Sequence, residues 1–417
     1  MSRSAGARLA HSLLLAALTS AFLFSGCGGG TSTTSTTSGG SGSGGSGASG
    51  SNVVSVAINA GPASNGTDLL YASVTICVPG STTQCQTIDG LQVDTGSNGL
   101  RILAAAVTLP LTQQKDSSGN NIAECEEFAD GETWGPVEVA DVTIAGEKAS
   151  SLPIQIIGGT AGNVSTTAPT SCSNLGPIED DVNSLEANGI LGVGNFIQDC
   201  GEACAITGPQ NAGLYYTCPT TLCEVFAEPV ANQVANPVPF FATDNNGVII
   251  QLPSLSAPAT TLTGSMIFGI GTQSNNALGS QTIYTLDLNT GTISTTFKGT
   301  TYTDAAFLDS GSNGLYFLDA STTGLPVCTD LNFLYCPTST QNLAATNIGA
   351  NGATGTVNFS IGNGDTLTNN NDSAIPNLGG PNPQTIDWGL PFFFGRTVYV
   401  AIDGKSTSGG TGPYWAY

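Results

Sequence analysis

The sequence predicts an all-β protein of two similar lobes, each of which contributes one aspartate to a cleft between them. Short apolar runs alternate with turn residues along the chain, and no long segment has helical periodicity. One short phrase also occurs twice, as DTGS in Asp94–Ser97 and as DSGS in Asp309–Ser312. Because self-similarity at a distance indicates repeated structure, this phrase divides the chain into two related halves.

The predicted strands are apolar or alternating segments bounded by Gly, Pro, Asn and Ser. In the first half they are Val53–Ile58, Leu69–Val78, Val137–Ile144 and Leu152–Ile157. In the second half they are Val248–Leu252, Ser265–Gly269, Thr282–Leu288, Gly291–Phe297 and Thr397–Ile402. Turn residues from Asp244 to Gly247 indicate the boundary, so we expect an N-terminal β lobe at 53–245 and a C-terminal β lobe at 246–417.

The N-terminus has the pattern of an export signal. Arg3 and Arg8 precede the apolar stretch Leu13–Phe24, and small residues lead to Cys27. The arrangement resembles a bacterial lipobox, with Phe24 where leucine is usual. We therefore expect a lipoprotein signal peptide at 1–27 with lipidation of Cys27; an ordinary cleaved signal peptide is the alternative.

The next segment, residues 28–52, is almost entirely Gly, Ser and Thr. Such a composition cannot bury a core and behaves as a flexible tether. Gly28 follows the cysteine at a position where many lipoproteins of the inner membrane have Asp. We therefore expect an exported protein that is lipid-anchored in the bacterial cell envelope, with the outer membrane favoured.

Cysteine usage indicates an oxidising compartment. After Cys27 an even number of the 11 cysteines remains, as expected for disulfides in an exported chain. Proximity in sequence favours Cys77–Cys85, Cys218–Cys223 and Cys328–Cys336, and two further pairs would complete five, Cys200–Cys204 and Cys125–Cys172. The alternative is a thiolate metal site, which needs paired short spacings such as C-x-x-C that the sequence lacks. We therefore expect no metal and no cofactor.

Charge and histidine content exclude several classes of protein. Eight Lys and Arg face 30 Asp and Glu, for a formal net charge of −22, and such a surface repels nucleic acid and anionic lipid. The only histidine, His11, lies in the predicted signal peptide. Ser-His-Asp and Cys-His catalysis therefore lack their base, and zinc hydrolases lack their usual ligand. Chemistry by carboxylates remains.

The repeated aspartates fit that chemistry. Asp94 follows Leu91 and Val93, and Asp309 follows Ala306–Leu308, so each leaves an apolar strand and enters a glycine turn. Two carboxylates roughly 3 Å apart cannot both ionise, so they share a proton, and one acts as a base on water while the other acts as an acid. A single such motif is usually a solvated turn or a helix cap. Two in matched settings favour a catalytic pair.

At this point the chain resembles the pepsin-like aspartic protease family, as a bacterial lipoprotein member. The two Asp-(Thr/Ser)-Gly-Ser turns resemble the family's active-site signatures, and further segments follow in the family's order. Phe128–Gly146 resembles the flap hairpin, and Asn188–Gly194 resembles the segment that passes behind the first turn. Gly264–Gly269 resembles the strand that opens the second lobe, and Phe392–Asp403 resembles the closing segment behind the second turn.

The resemblance implies a role for each residue of the turns. Asp94 and Asp309 would be the catalytic pair that binds the attacking water. Thr95 and Ser310 would brace the two turns against each other. Ser97 and Ser312 would orient the outer carboxyl oxygens, and Gly96 and Gly311 would supply backbone N–H groups.

The chain departs from the family at the flap. Phe128 falls where the family usually has a tyrosine, so the hydroxyl that helps to close the flap is missing. Gly131 is in place, and Trp134 is the candidate substitute for the tyrosine.

Further departures lie near the two turns. Gly99 and Arg101 replace the family's usual Asn and Trp after the first turn. Asp387 precedes Trp388 at a position where an apolar residue is expected. None of these departures changes the pair of aspartates itself.

The sequence therefore predicts an aspartic endopeptidase, tethered to the bacterial envelope, in which water activated between two carboxylates hydrolyses peptide bonds. The alternatives are a catalytically weak or inactive pepsin-like lipoprotein that binds peptides or proteins, and a purely structural envelope lipoprotein. We expect a monomer whose partner is a peptide or protein substrate, with no nucleic acid and with membrane contact only through the lipid anchor.

Overall fold

The computed structural model describes residues 50–417. The predicted signal peptide, Cys27 and nearly all of the predicted tether lie outside the described residues. Within residues 50–417, no helix is long and apolar enough to cross a membrane.

The described part of the chain is built almost entirely from strands. The strands before Asp244 are β1 (Val53–Ile58), β2 (Leu70–Cys77), β3 (Cys85–Asp94), β4 (Asn98–Leu103), β5 (Thr112–Gln113), β6 (Asn121–Glu127), β7 (Glu132–Ile144), β8 (Glu147–Ile157), β9 (Gly189–Val193), β10 (Tyr215–Cys218) and β11 (Glu224–Val225).

The second half has a similar content. Its strands are β12 (Gly247–Gln251), β13 (Leu262–Phe268), β14 (Ile283–Thr285), β15 (Ile293–Phe297), β16 (Thr300–Leu308), β17 (Leu315–Leu318), β18 (Gln341–Ile348), β19 (Thr354–Ile361), β20 (Gly379–Gly380), β21 (Asn382–Trp388), β22 (Thr397–Ala401), β23 (Ser406–Thr407), β24 (Gly410–Thr411) and β25 (Tyr414–Ala416).

The helices of the described residues are single turns. The α-helices are α1 (Thr170–Ser173), α2 (Val182–Leu185), α3 (Glu202–Ala205), α4 (Ala320–Thr323) and α5 (Gly364–Leu367). The 3-10 helices are Ala104–Ala106, Val230–Asn232, Val238–Phe240 and Leu390–Phe393. The predicted all-β class is therefore confirmed.

The strands form three sheets. The largest runs in the order β11-β10-β6-β7-β8-β4-β9-β3-β2-β1-β13-β12-β22-β25-β14, with β5 paired to β7. The second runs β19-β18-β15-β16-β21-β17-β20, and the third pairs β23 with β24. All nine predicted strands are present, β1 with the predicted ends and the other eight with shifted ends, and the strands that were not predicted include β6, β18 and β21.

The first strand joins the two halves of the chain. β1 pairs antiparallel with β2, which follows it, and with β13, so that Val53 lies opposite Ile267. One hydrophobic core cluster likewise contains residues from both halves. Because the largest sheet passes through both halves, the domain boundary at 245/246 stays a prediction.

The two halves repeat one arrangement at the aspartates. In the first half β9 lies between β3 and β4, parallel to β3 and antiparallel to β4. In the second half β21 lies between β16 and β17 in the same two orientations. All five residues of β9 are buried, as expected for a short apolar run that is covered on both faces. Asp94 ends β3, and Asp309 directly follows β16. Strands β3 and β16 therefore place the two aspartates at equivalent positions in the two halves.

All five predicted disulfides are present, which rules out the thiolate metal site for these ten cysteines. Four of them close loops of only 4 to 8 residues, whereas Cys125–Cys172 spans 47. In the chain-entropy description, a 47-residue loop contributes about 4 kcal/mol and an 8-residue loop about 2.5 kcal/mol. The largest contribution therefore falls on β6, the strand that contains Cys125. Five disulfides are typical of a protein folded outside the cytoplasm.

Candidate active site

The first aspartate turn surrounds its carboxylate with hydrogen-bond donors. The backbone N–H of Gly96 donates to Asp94 Oδ1 at 2.7 Å, and the Ser97 hydroxyl donates to Oδ2 at 2.5 Å. Hydrogen bonds to an ionised acceptor are among the stronger ones in proteins, and they favour the charged form. The turn therefore orients this carboxylate.

The second turn makes the same contacts. The backbone N–H of Gly311 donates to Asp309 Oδ1 at 2.7 Å, and the Ser312 hydroxyl donates to Oδ2 at 2.8 Å. The structure therefore brings all eight sequence-predicted turn residues together, four in each half, and gives the two carboxylates matched surroundings.

Two hydroxyl residues connect the turns to each other. Thr95 Oγ1 accepts a hydrogen bond from the backbone N–H of Ser310 at 2.9 Å and donates to the carbonyl of Leu308 at 3.0 Å. Ser310 Oγ accepts from the N–H of Thr95 at 3.2 Å and donates to the carbonyl of Val93 at 2.7 Å. These four hydrogen bonds are buried, and each runs from one half of the chain to the other.

One further crossing contact was not predicted. The Gln92 side chain donates from Nε2 to the carbonyl of Gly311 at 2.7 Å. Gln92 is a polar residue in the apolar approach to Asp94 and is 1% exposed. That position is the signal that sequence reasoning missed, since a buried polar side chain needs a partner.

The glycines of the turns allow the carboxylates to approach each other. A Cβ atom on Gly96 would lie 2.6 Å from Asp309 Cγ, and a Cβ atom on Gly311 would lie 2.6 Å from Asp94 Oδ1. No side chain fits at these distances, so each glycine admits the carboxylate of the opposite turn.

The environment of the pair favours the sharing of one proton. Asp94 and Asp309 are 7% and 5% exposed. Burial raises the pKa of the Asp309 carboxyl well above its ordinary value, and the charge of Asp94 and a hydrogen bond with it raise that pKa further. Two interacting carboxyl groups of this kind titrate as a pair, and over an intermediate pH range the pair holds a single proton.

The pair faces a cavity of about 260 Å³ whose walls come from both halves. Phe128–Asp130 lines it from the first half, and Thr290–Thr292 and Phe307 line it from the second. The buried acid pair is therefore accessible to a ligand from one side.

A hairpin covers this cavity at the position of the predicted flap. β6 and β7 pair antiparallel from Ala123 opposite Pro136 to Glu127 opposite Glu132. The N–H of Phe128 donates to the carbonyl of Gly131 at 2.8 Å and closes the tip. The N–H of Glu132, the first residue of β7, donates to the carbonyl of Pro177 at 2.9 Å, so the loop that contains Pro177 is attached to this strand of the hairpin.

Trp134 is not a donor to the cavity, which corrects its prediction as the substitute for the flap tyrosine. Its side chain is fully buried and packs edge-on against Tyr216, and its Nε1–H donates to the carbonyl of Ser165 at 2.9 Å. Neighbouring side chains alternate across a strand, and Trp134 lies on the face of β7 that turns away from the aspartates, beside Cys125–Cys172.

Phe128 lies at the hairpin tip and contacts Arg101, another residue that differs from the pepsin-like sequence pattern. The guanidinium carbon of Arg101 lies 5.8 Å from the centre of the Phe128 ring, within the range of a cation–π contact. The ring also packs on an apolar cluster that includes Leu103 and Ile157. An Arg–Phe contact therefore connects the flap tip to β4.

Arg101 is also the centre of a buried acidic cluster that sequence reasoning missed. Its Nη2 atom lies 2.7 Å from Glu124, 3.2 Å from Glu126 and 3.1 Å from Asp199. The Tyr215 hydroxyl donates to Asp199 at 2.7 Å. Glu124 and Glu126 belong to β6, so these ion pairs hold the inner strand of the flap against the body of the first half.

Burial and charge determine the protonation of this cluster. Burial raises the pKa of Glu126 to about 8, with Arg101 opposing the shift and Glu124 adding to it. Burial and the charge of Glu124 likewise raise the pKa of Asp199 well above its ordinary value. Burial lowers the pKa of Arg101, but the three carboxylates outweigh it and the net direction is upward. Arg101 therefore stays charged, and Glu126 and Asp199 hold their protons above the usual range.

The same three carboxylates are close enough to hold a metal ion, since one oxygen from each lies within 4.8 Å of the others. The Arg101 guanidinium contacts all three, so a cation already occupies the centre of this group. The absence of a metal stays a prediction.

The fold is similar to that of a solved structure. The crystal structure of an aspartic proteinase from Irpex lacteus aligns with a TM-score of 0.52 over 87% of this chain and 96% of that chain, at 15% sequence identity. The chain therefore has the pepsin-like aspartic protease fold. It belongs to the family described as "Protein of unknown function (DUF3443)", whose model matches residues 48–417. No curated protein matches the sequence.

The raised pKa of Glu126 predicts that acid stabilises the fold. The folded chain keeps this proton up to about pH 8, whereas an ordinary glutamate releases it near 4.5. Between these values the folded state binds more protons, so the free energy of unfolding falls as pH rises, by up to about 1.4 kcal/mol per pH unit. Thermal unfolding from pH 5 to pH 8 should show a falling Tm.

Glu126→Gln should flatten that slope, because the glutamine imitates the protonated acid at every pH. Glu224→Gln is the matched control, since it makes the same substitution at an exposed glutamate of β11 and should leave the slope as it is. If Glu126→Gln keeps the wild-type slope, Glu126 does not hold its proton in the folded state.

Proposed function

We propose that this chain is an aspartic endopeptidase that hydrolyses peptide bonds with a water molecule activated between Asp94 and Asp309. The observation that carries the proposal is the matched pair of turns. Two buried carboxylates, each with two hydrogen-bond donors, meet across the halves of the chain and face a cavity under a hairpin. A solvated turn would need none of the buried bracing between Thr95 and Ser310.

In this proposal the two carboxylates hold one proton between them. The ionised carboxylate takes a proton from the water as it attacks the peptide carbonyl, and the protonated one gives its proton to the carbonyl oxygen. The nitrogen of the leaving group then takes up a proton from the pair, the C–N bond breaks, and a hydroxyl of the tetrahedral intermediate returns its proton to the pair. Ser97 and Ser312 keep the outer oxygens in place, and the cross-bracing of the turns keeps the carboxylates from moving apart.

The hairpin would cover the bound peptide. Phe128 and Asp130 at its tip line the cavity, and Phe128 offers apolar contact in place of a hydroxyl. The ion pairs of Arg101 with Glu124 and Glu126 would limit the movement of β6. Substrate binding would then depend more on the tip, residues 128–131, than on opening of the whole hairpin.

The second candidate is a pepsin-like protein that binds peptides or proteins without cutting them. The missing flap hydroxyl at Phe128 and the fixed position of β6 favour it. It requires the same cavity, and it differs from the first candidate in needing no proton on the aspartate pair.

We also propose that the protein is held in the bacterial envelope by lipid on Cys27, with residues 28–52 as the tether and the outer membrane as the favoured location. The signal-peptide pattern and the cysteine at its end support this proposal. Five disulfides agree with export.

Asp94→Asn and Asp309→Asn should each reduce cleavage of peptides by roughly 10²-fold to 10⁴-fold, because an amide can neither accept nor supply the required proton. Both variants should keep the wild-type Tm or exceed it, since the repulsion between the carboxylates is removed. Pepstatin-type inhibitors, which place a hydroxyl where the water would lie, should block cleavage, and chelators should not.

Asp330→Asn is the control for this pair of variants, since Asp330 is exposed and does not line the cavity. Full activity in either active-site variant would exclude the dyad. Peptide binding without cleavage in the wild-type protein, kept in both variants, would support the second candidate.

Metabolic labelling with palmitate tests the anchor. The intact protein should incorporate the label, and Cys27→Ala should not, because the cysteine supplies the atom to which lipid is attached. An unlabelled parent protein would contradict lipidation and leave a plain secreted form.

A further inference from the structure

Asp387 is a third acid beside the aspartate pair. It lies in β21, opposite Phe307 of β16 and Tyr316 of β17. The equivalent place in the first half is Ile190 of β9, which lies opposite Gln92 of β3. The two halves therefore have an apolar residue and an acid at the same position behind their turns.

The Asp387 carboxyl is completely buried, and neither of its oxygens has a hydrogen bond of good geometry. Such a group destabilises a fold by about 1 to 3 kcal/mol, and by more if it is charged. An isoleucine at this place, as at residue 190, would avoid that cost. A buried acid without a hydrogen bond of good geometry, beside an acidic pair, is a candidate for a functional role.

Ser312 lies between Asp387 and the pair. Its hydroxyl donates to Asp309 Oδ2 at 2.8 Å and also interacts with Asp387. A hydroxyl donates one hydrogen bond and can accept another at the same time, while a carboxyl supplies a donor only when it is protonated. Because Ser312 already donates to Asp309, it can form a hydrogen bond with Asp387 as well only if Asp387 is protonated and donates to the Ser312 hydroxyl.

The charged and titratable groups that face Asp387 favour that proton. Asp309 lies on the turn after β16, Asp94 on the turn after β3, and Tyr316 on β17. Burial raises the pKa of Asp387 well above its ordinary value, and the charges of Asp309 and Asp94 raise it further, while a hydrogen bond with Ser312 acts in the opposite direction without reversing the shift. The Tyr316 hydroxyl is not free to donate, since it donates to Asn313 Oδ1 at 2.6 Å.

We propose that Asp387 is a positioning residue for the second aspartate: its carboxyl O–H donates to Ser312 Oγ, and Ser312 in turn donates to Asp309 Oδ2. Hydrogen bonds in such a chain strengthen one another. The neutral acid therefore stabilises the ionised form of the pair from behind, at a place where the first half has only Ile190. This proposal rests on the proposed function, because Asp309 belongs to the proposed dyad.

Titration of the aspartate pair in Asp387→Leu and Asp387→Asn tests the proposal. The full chain, labelled with ¹³C at the aspartate side-chain carboxyl, is followed by NMR from pH 2 to pH 8, and Asp94→Asn, Asp309→Asn and Asp387→Asn assign the three signals. Asp387→Leu removes the donor to Ser312, so both macroscopic constants of the pair should rise by about half to one pH unit. Asp387→Asn keeps an N–H donor and should retain the wild-type constants.

A purely structural role for Asp387 would change the Tm of the leucine variant and leave both constants unchanged, which would overturn the proposal. A fall in the constants would also overturn it, since that result means that an ionised Asp387 had been repelling the pair. If Asp387→Leu does not fold, the wild-type spectrum decides: the Asp387 signal must stay that of a neutral acid over the range in which the pair titrates.

The pH–rate profile provides the link to catalysis. In Asp387→Leu, both limbs of the pH–rate profile should shift by the same amount as the NMR constants. In Asp387→Asn, both limbs should lie at their wild-type positions. If the wild-type chain cleaves no peptide, the proposed function fails, while the NMR titration still decides the role of Asp387.

Discussion

The site depends on the hydrogen bonds between Thr95 and Ser310. Each hydroxyl accepts from the backbone of the opposite turn and donates to the strand that precedes it. Like charges in a dry setting repel each other, so two buried carboxylates would separate unless something else held their turns. This bracing opposes the repulsion, and Gly96 and Gly311 leave room for the carboxylates to meet.

The second constraint is the attachment of the flap strand β6. The Cys125–Cys172 disulfide and the Arg101 ion pairs both fix this strand to the body of the first half. Phe128 at the tip packs on Arg101, so two of the residues that differ from the pepsin-like sequence pattern contact each other in space.

Much of this could be predicted from the sequence, because the informative features are local. The repeated phrase located both turns, short spacings located the disulfides, and apolar runs such as Val53–Ile58 located strands. The acidic cluster could not be predicted in this way. Glu124 and Glu126 alternate on β6, a pattern typical of a solvent-facing strand, and the third acid, Asp199, is distant in sequence. Only the fold brings Arg101 among them. The prediction that Trp134 substitutes for the flap tyrosine was wrong for a similar reason, since the sequence does not show which face of β7 is directed toward the aspartates.

In the proposed mechanism, two carboxylates share a proton and use it to hydrolyse peptides. Turnover of an unbiased peptide library across pH 3 to 8 tests it most directly, because a pair that needs one ionised and one protonated member is active only between its two macroscopic constants. We expect the rate of peptide cleavage to follow a bell-shaped pH profile with an acidic to mildly acidic maximum. Activity that is still rising at about pH 8, or no cleavage at any pH, would contradict it.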